Sequence, residues 1–318
     1  MNTADLERVM LPDFVIIGAM KAASTLITEC LRQHPEVYMP RGETPYFRDP
    51  EYSWSGIEIV EDIFTGQPAG RRLGIKSPDY LGEPCCARRI HDDLDEPQLI
   101  CVLRDPVDRA VSAYYWAMKW GILPIAPIEV GMGALLDSSG TDHPVGYAQV
   151  IDWGFYGKHL QRYVDLWPSE RILVQLNEDY RADGLSAIRE VFDHLGVDRT
   201  VEPKALGAVQ NAGIYSLERL RFLDRRNRYA VKWAPDKSWV KLGRPTQLFQ
   251  FAYNAAVVLT DRWLLSRRYG STKPKISRNL KRRLYGIYAE DIAHASKLLG
   301  RDLSSWSMPG KQDRAAQL

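Results

Sequence analysis

Cysteine is scarce in this chain of 318 residues: Cys30, Cys85, Cys86 and Cys101 are the only four. None forms a CxxC pair, and the adjacent Cys85 and Cys86 do not suit a simple disulfide, so a disulfide-stapled secreted scaffold is excluded and a reduced, cytoplasmic protein is expected. Long apolar runs are missing as well. The nearest approach to the ~20 residues of a membrane span is Leu248 to Leu265, and Gln250, Asn254, Thr260, Asp261 and Arg262 interrupt it. The opening MNTADLERVMLPDF carries acids and no apolar core, so it does not read as a signal peptide. Net charge is nearly absent too. Lys and Arg total 42 against 40 Asp and Glu, a formal +2, which argues against a dedicated nucleic-acid binder. The six His are scattered and the acids do not group as ligands, so no metal site is expected.

What is present is a globular composition. Hydrophobic residues make up 45% and charged residues 26%, enough to bury a sizeable core. Phe14–Ile17 is a short apolar run that ends in Gly18; a polar loop follows, then Leu26, Ile27, Cys30 and Leu31 at helical spacing. The pattern recurs. Leu99–Leu103 reads as a buried strand, and Arg104, Asp105 and Pro106 lead into a helix carrying Val107, Ala110, Val111, Tyr114, Tyr115 and Met118. Asp105 is the expected N-cap and Pro106 the first helical residue. Ile172–Leu176 is a third strand, followed by a helix with Leu185, Ile188, Val191, Phe192 and Leu195 on one face and Gly196 as its stop. A last helix begins near Ser277 and stops at Gly300. Strands alternating with helices predict an α/β fold with a central parallel sheet flanked by helices.

Charge is unevenly spread. Between Arg219 and Arg244 nine bases and two acids net +7, so the remainder nets −5 (2 minus 7). Ser266 to Arg283 adds eight bases and no acid. Trp233, Trp239, Phe249, Phe251, Tyr253 and Trp263 lie in or just beyond the first stretch. Residues 217–270 read as a basic, aromatic-rich helical insertion within a single domain of residues 1–318. Three roles stand open for it: a helical cover over an acceptor cleft, a peripheral membrane surface anchored by Trp233, Trp239 and Trp263, or an oligomer interface.

The most informative loop is Ile17–Leu26. A strand ends, small residues let the backbone turn closely, and a helix begins at Ser24 and Thr25. Helix-start amides, two hydroxyls and Lys21 form a phosphate cradle. The ATP-type GxxxxGK[ST] pattern fails, because Lys21 comes three residues before the hydroxyls. An ordinary βα turn with a surface lysine would explain the loop equally well. In the second unit Arg104 directly follows a strand, and Ser112 lies eight residues on, about 80° past two helical turns. The two could clasp a second phosphate; an Arg104 paired to Asp105 or Asp108 is the plainer alternative.

Together these residues resemble the sulfotransferases that use 3′-phosphoadenosine 5′-phosphosulfate, in particular the bacterial and heparan-sulfate type. Ile16–Leu26 matches the family's 5′-phosphosulfate loop, and Leu103–Tyr114 its 3′-phosphate motif. Gln33–Val37, Gly42–Phe47 (K-E-x-x-[YF]-F in the family), Gly74–Leu81 (G-E-K-[ST]-P-x-Y), Gly154–Tyr156 with Leu160, Trp167–Ile172 and Leu298–Trp306 follow in the family's order. Ala23 stands where Gly is usual, Gly42 replaces a Lys, Ile75 a frequent Glu, and Ala113 a His or Gln. At Ala23 the loop either has no need of a positive φ or is slightly altered.

The resemblance implies a P-loop-like sulfotransferase fold and in-line sulfuryl transfer without a metal. Lys21 would contact the sulfate and bridging oxygen. Ala22, Ala23, Ser24, Thr25 and Leu26 would wrap the 5′-phosphate, and Arg104 and Ser112 would hold the 3′-phosphate. Glu43 would be the general base, with His34 as rival. Lys76 would be a second cation near acceptor and sulfate, although a strand-end surface lysine is nearly as good a reading. Tyr46 and Phe47 would shape the acceptor wall unless they are core. The acceptor would be a small metabolite, natural product or saccharide, and adenosine 3′,5′-bisphosphate the product. Two other classes compete: a P-loop-type nucleotide kinase, disfavoured by the position of Lys21, and a non-catalytic nucleotide-binding module, disfavoured by intact Lys21, Arg104, Ser112 and Glu43.

Overall fold

The computed structural model describes residues 10–68, 70–138, 143–207, 213–233, 240–242 and 248–308. Trp239 and Arg244, both counted in the basic stretch above, lie outside them. In chain order the elements are β1 (Phe14–Gly18), α1 (Ser24–Arg32), β2 (Val37–Tyr38), α2 (Glu51–Trp54), α3 (Glu58–Phe64), β3 (Arg72–Lys76), α4 (Cys86–Asp93), β4 (Gln98–Leu103), α5 (Pro106–Lys119), α6 (Ile128–Asp137), α7 (Tyr147–Val150), α8 (Tyr156–Val164), β5 (Ile172–Leu176), α9 (Asn177–Leu195), α10 (Leu217–Ala230), β6 (Val231–Trp233), β7 (Val240–Leu242), α11 (Leu248–Thr260), α12 (Ser266–Tyr269) and α13 (Arg278–Leu299). They divide between two compact units. One holds residues 1–104, 156–210 and 297–300; the other holds 105–155, 211–296 and 301–318.

The first unit is built on a five-stranded parallel sheet of order β2-β3-β1-β4-β5. β1 is buried along its whole length, as a central parallel strand covered on both faces must be. On one face Phe14, Ile16, Ile100 and Val102 join Ile27, Cys30 and Leu31 of α1 and Ile188, Val191, Phe192 and Leu195 of α9 in a single core. Those helix positions recur at intervals of three and four, which aligns them on one stripe. Three strands were expected; β2 and β3 complete the sheet. β3, Arg-Leu-Gly-Ile-Lys, carries charges at both ends and a glycine in the middle, which hides it from an apolar-run reading. Gly74 is required there, because a Cβ would come within 2.1 Å of the Phe14 ring.

The helix expected after β5 starts earlier than its apolar stripe. α9 begins at Asn177 and breaks at Asp183 (φ −150°, ψ 90°). The Asp183 carboxylate accepts from the amides of Leu185 (3.1 Å) and Ser186 (3.0 Å), so it restarts the helix as a cap does. Gly196 (φ 67°) closes it, as read from the sequence.

The second unit is mainly helical. Asp105 caps α5 by accepting from the Asp108 amide (2.9 Å), with Pro106 in the first turn. Arg109 is fully buried in this unit and donates to the carbonyls of Gln149 (2.9 Å) and Val150 (2.6 Å), so its charge fastens α5 to α7. The stretch expected to be a helical insertion contains α10, α11 and α12, and also an antiparallel hairpin of β6 and β7. Trp233, an anchor only under the membrane reading of this stretch, donates its indole N–H to the Trp120 carbonyl (2.7 Å) within the unit.

Candidate active site

The strands of the first unit are parallel, so their carboxyl ends lie along one edge, and four segments with candidate site residues leave from it. The 19–23 loop follows β1, Lys76 ends β3, Arg104 follows β4 and Asn177 follows β5. The chain runs from β1 to one side and from β4 to the other, so the β1/β4 boundary is the topological switch point where α/β sheets bind ligands.

The loop after β1 is held in shape by its own backbone and its neighbours. Gly18 has φ 150°, and a Cβ there would come 3.0 Å from both the Leu81 side chain and the Pro78 carbonyl. The Ala19 amide donates to the Val102 carbonyl of β4 (2.8 Å), and the Arg104 guanidinium donates to the Lys21 carbonyl (3.4 Å). Tyr156 Oη in turn donates to the Arg104 carbonyl (2.9 Å). Lys21 and Ala23 both have left-handed backbone, φ 69° and 86°. Ala23 therefore occupies the conformation that favours glycine, and the reading in which the loop needs no positive φ is wrong.

α1 starts at Ser24, and its first-turn amides lack intrahelical partners by geometry. Two amides of the expected cradle are already used: Ala22 N–H donates to the Ala19 carbonyl (3.2 Å) and Leu26 N–H to the Ala23 carbonyl (2.8 Å). Leu26 turns its side chain onto the α1–α9 core instead.

Lys76 joins the loop to the candidate base. It is only 5% exposed, so it is not a strand-end surface lysine. Its ammonium lies 3.4 Å from Glu43 Oε1 and donates to Thr25 Oγ1 at 3.2 Å. Its carbonyl accepts from the Thr44 amide (2.8 Å), which lays the 43–44 segment along the end of β3. The Glu43 side chain keeps 52% of its exposure, so an incoming molecule can reach it. Thr25 accepts from Lys76 and retains its own proton to donate.

His34 is placed differently. It is 2% exposed, in the turn after α1. Nε2 lies 2.9 Å from the Asp198 carbonyl and Nδ1 accepts from the Glu36 amide (3.2 Å), so both ring nitrogens are engaged by backbone. A ring edge-on to Phe192 at 4.7 Å completes a structural setting, which leaves no nitrogen to take a proton from an acceptor. Tyr46 and Phe47 are also core residues. They are 5% and 0% exposed, and their rings meet each other at 4.9 Å, Tyr52 at 5.3 Å and Tyr80 at 5.7 Å. Ser112 belongs to the second unit, buried on α5.

Two features carry no role in the sequence reading. Asn177 Nδ2 donates to the Ala22 carbonyl (3.4 Å), a position recoverable from its place directly after β5, as Arg104 stands after β4. Asp79, three residues beyond Lys76, forms a close ion pair with Arg48. Burial pushes its carboxyl up to about 6, although Arg48 and Lys76 pull it down, and Glu43 adds to the rise. Glu83 is pushed up to about 7, first by burial and then by Asp79. Among the described residues no group of His, Cys, Asp or Glu is placed to hold a metal ion.

Comparison with known proteins shows what the chain is similar to. Residues 92–214 match the family model described as a sulfotransferase domain. Mouse heparan sulfate glucosamine 3-O-sulfotransferase 3B1 is 28% identical over 215 residues, covering 66% of this chain and 52% of that protein. Human heparan sulfate glucosamine 3-O-sulfotransferase 6 is 30% identical over 194 residues, covering 61% and 54%. The chain thus spans about half the length of these curated relatives. A sulfotransferase structure from Alicyclobacillus acidocaldarius shares the fold with a TM-score of 0.64 at 20% identity, over 94% of this chain and 99% of that one. The chain is thus similar to the sulfotransferases: residues 92–214 match their domain model, and its parallel sheet shares the fold of a solved sulfotransferase.

Proposed function

We propose that this chain transfers the sulfuryl group of 3′-phosphoadenosine 5′-phosphosulfate to a hydroxyl or amine of a small metabolite, natural product or saccharide. The observation that carries the reading is the bridge made by Lys76. One buried cation holds a reachable carboxylate, Glu43, and a first-turn hydroxyl, Thr25, at 3.4 and 3.2 Å. A helix start followed by two hydroxyls, with Lys21, Lys76 and Arg104 along the same sheet edge, suits a polyanionic donor. The donor supplies a sulfuryl group already activated by a phosphate leaving group.

The residues then divide the work. The amides and hydroxyls of Ser24 and Thr25 bind the 5′-phosphate, and Ala22 and Ala23 keep the loop small enough for close approach. Arg104 takes the 3′-phosphate. Glu43 accepts the acceptor's proton as its oxygen or nitrogen bonds to sulfur. Lys21 and Lys76 offset the negative charge that collects on the bridging oxygen as its bond to sulfur breaks. A base in this role needs reach of ~3 Å to the acceptor proton, and the exposure of Glu43 is compatible with that.

The test is turnover. The chain is incubated with the phosphosulfate donor and a panel of alcohols, phenols, amines and saccharides, and release of adenosine 3′,5′-bisphosphate is followed. Acceptor-dependent release supports the reading. Release of ADP from ATP–Mg, with none of the bisphosphate, would replace it with a kinase.

A further inference from the structure

The second unit carries a helical run, Leu248–Tyr269, whose outward side is unlike an ordinary solvated face. α11 has no charged residue, and Val257 is its only buried one. Leu248 is 85% exposed, Phe251 63% and Phe249 59%. At ~100° per residue, the exposed Val258, Phe251, Leu248, Leu259, Phe249 and Tyr253 sweep about 220° of the helix. That arc is far wider than the seam one partner helix covers. A π-turn at Asp261–Leu265 follows and leaves Trp263 and Leu264 more than 60% exposed.

The charges on this run have one sign. Its only acid, Asp261, is buried and bound by Arg219 through two hydrogen bonds of 2.8 and 3.0 Å. The exposed charges are Arg262, Arg267 and Arg268. Two of them lie over aromatic rings of the same run, Arg267 over Trp263 (5.7 Å) and Arg268 over Tyr269 (5.6 Å). Guanidinium groups beside interfacial aromatics are how a helix keeps its bases at headgroup level while its apolar side sinks.

We propose that Leu248–Tyr269 docks on a bilayer surface bearing anionic headgroups, lying in the interface plane. Charge decides between a bilayer and a second copy of the chain. Two copies meeting through this face would bring arginines together with no exposed acid on the run to answer them, whereas anionic lipid supplies the missing sign. The width of the apolar arc favours a fluid medium over a rigid partner. No helix among the described residues is long and apolar enough to cross a membrane, which agrees with a surface mode. This proposal stands apart from the transfer reaction and does not need it.

The experiment is sedimentation of the full chain with phosphatidylcholine vesicles, with and without about one third phosphatidylserine, in ~0.1 M and ~1 M salt. The expected result is binding to the anionic vesicles that weakens in high salt. The double variant Leu259→Asp, Trp263→Asp should bind at least tenfold more weakly with an unchanged thermal midpoint. Replacing Arg262, Arg267 and Arg268 by Gln should remove the preference for phosphatidylserine, an effect on the order of 100-fold at ~1 kcal/mol per base. Wild-type chain that sediments with neither vesicle overturns the proposal, as does undiminished binding by the apolar double variant. A dimer in size-exclusion chromatography that the double variant dissolves, with no vesicle binding, assigns the face to a second copy instead. Binding of adenosine 3′,5′-bisphosphate by the same variants keeps failure here distinct from failure of the transferase reading.

Discussion

Lys76 reaches the site from inside the sheet. It is the last residue of β3, it is almost fully buried, and its ammonium finds Glu43 and Thr25 where the strand ends. A buried ammonium without partners would be costly, so the pair of oxygens around it is part of what makes the position tenable. If Glu43 is the base, Glu43→Gln should cut turnover by about 10²- to 10⁴-fold while affinity for adenosine 3′,5′-bisphosphate is kept, since the amide preserves the shape. Lys21→Ala should lose turnover by a further margin and weaken nucleotide binding as well. Full activity in Glu43→Gln would remove the base from this position, and His34 could not inherit it with both nitrogens engaged. Ala23 gives an independent test of the loop. Its left-handed backbone costs an L residue ~1–2 kcal/mol, partly offset by the extra freedom of unfolded glycine. Ala23→Gly should therefore stabilise the chain by about 0.5–1 kcal/mol in urea denaturation, and Ala23→Val should destabilise it.

At the scale of elements, local signals were legible where one residue does one job. Asp105 and Pro106 start α5, Gly196 stops α9, and the strands at 14–18, 98–103 and 172–176 stand out as apolar runs. The strand ending at Lys76 was anticipated only as a surface strand end, because the burial of β3 depends on Phe14 filling the space over Gly74, a contact 60 residues away in sequence. The cores around Tyr46, Phe47 and His34 were hidden for the same reason: nothing in a local pattern separates a wall of a cleft from a wall of the core. The Arg219–Asp261 pair is a further long-range contact, joining α10 to the turn after α11, with both side chains 8% exposed. Removing one member of such a pair leaves a buried charge, at a cost of ~3–5 kcal/mol. Asp261→Ala should therefore lower stability by about that amount, measured by denaturant unfolding. Arg219→Met with Asp261→Leu should recover most of it; equal losses in single and double variants would contradict a coupled pair.

At the scale of the molecule, the near-neutral total of +2 conceals opposed regions, +7 in one stretch and −5 elsewhere. The sequence made that asymmetry plain, but not that the bases beyond it flank an exposed apolar helix, because exposure is a tertiary property. Asp79 and Glu83 add a pH dependence. Each folded carboxyl titrates above its unfolded value, Asp79 at about 6 against 3.8 and Glu83 at about 7 against 4.5. Between those values the folded chain holds a proton that the unfolded chain has released, so stability falls as pH rises through the window. His194, whose pKa burial lowers, works in the opposite direction up to its unfolded value of 6.5. Glu83→Gln isolates one contribution: the stability lost between about pH 5 and about pH 8 should shrink by roughly 1–2 kcal/mol in that variant, read as the change in urea midpoint. An unaltered pH profile would show that Glu83 titrates normally.

The proposed role of the edge formed by the 19–23 loop, Lys76 and Arg104 is to bind a nucleotide with two separated phosphates. Titration calorimetry with adenosine 3′,5′-bisphosphate and, separately, with ATP–Mg tests it most directly. The expected result is tight binding of the bisphosphate, weakened by Lys21→Ala and by Arg104→Ala, and far weaker binding of ATP–Mg. Preference for ATP–Mg would contradict it.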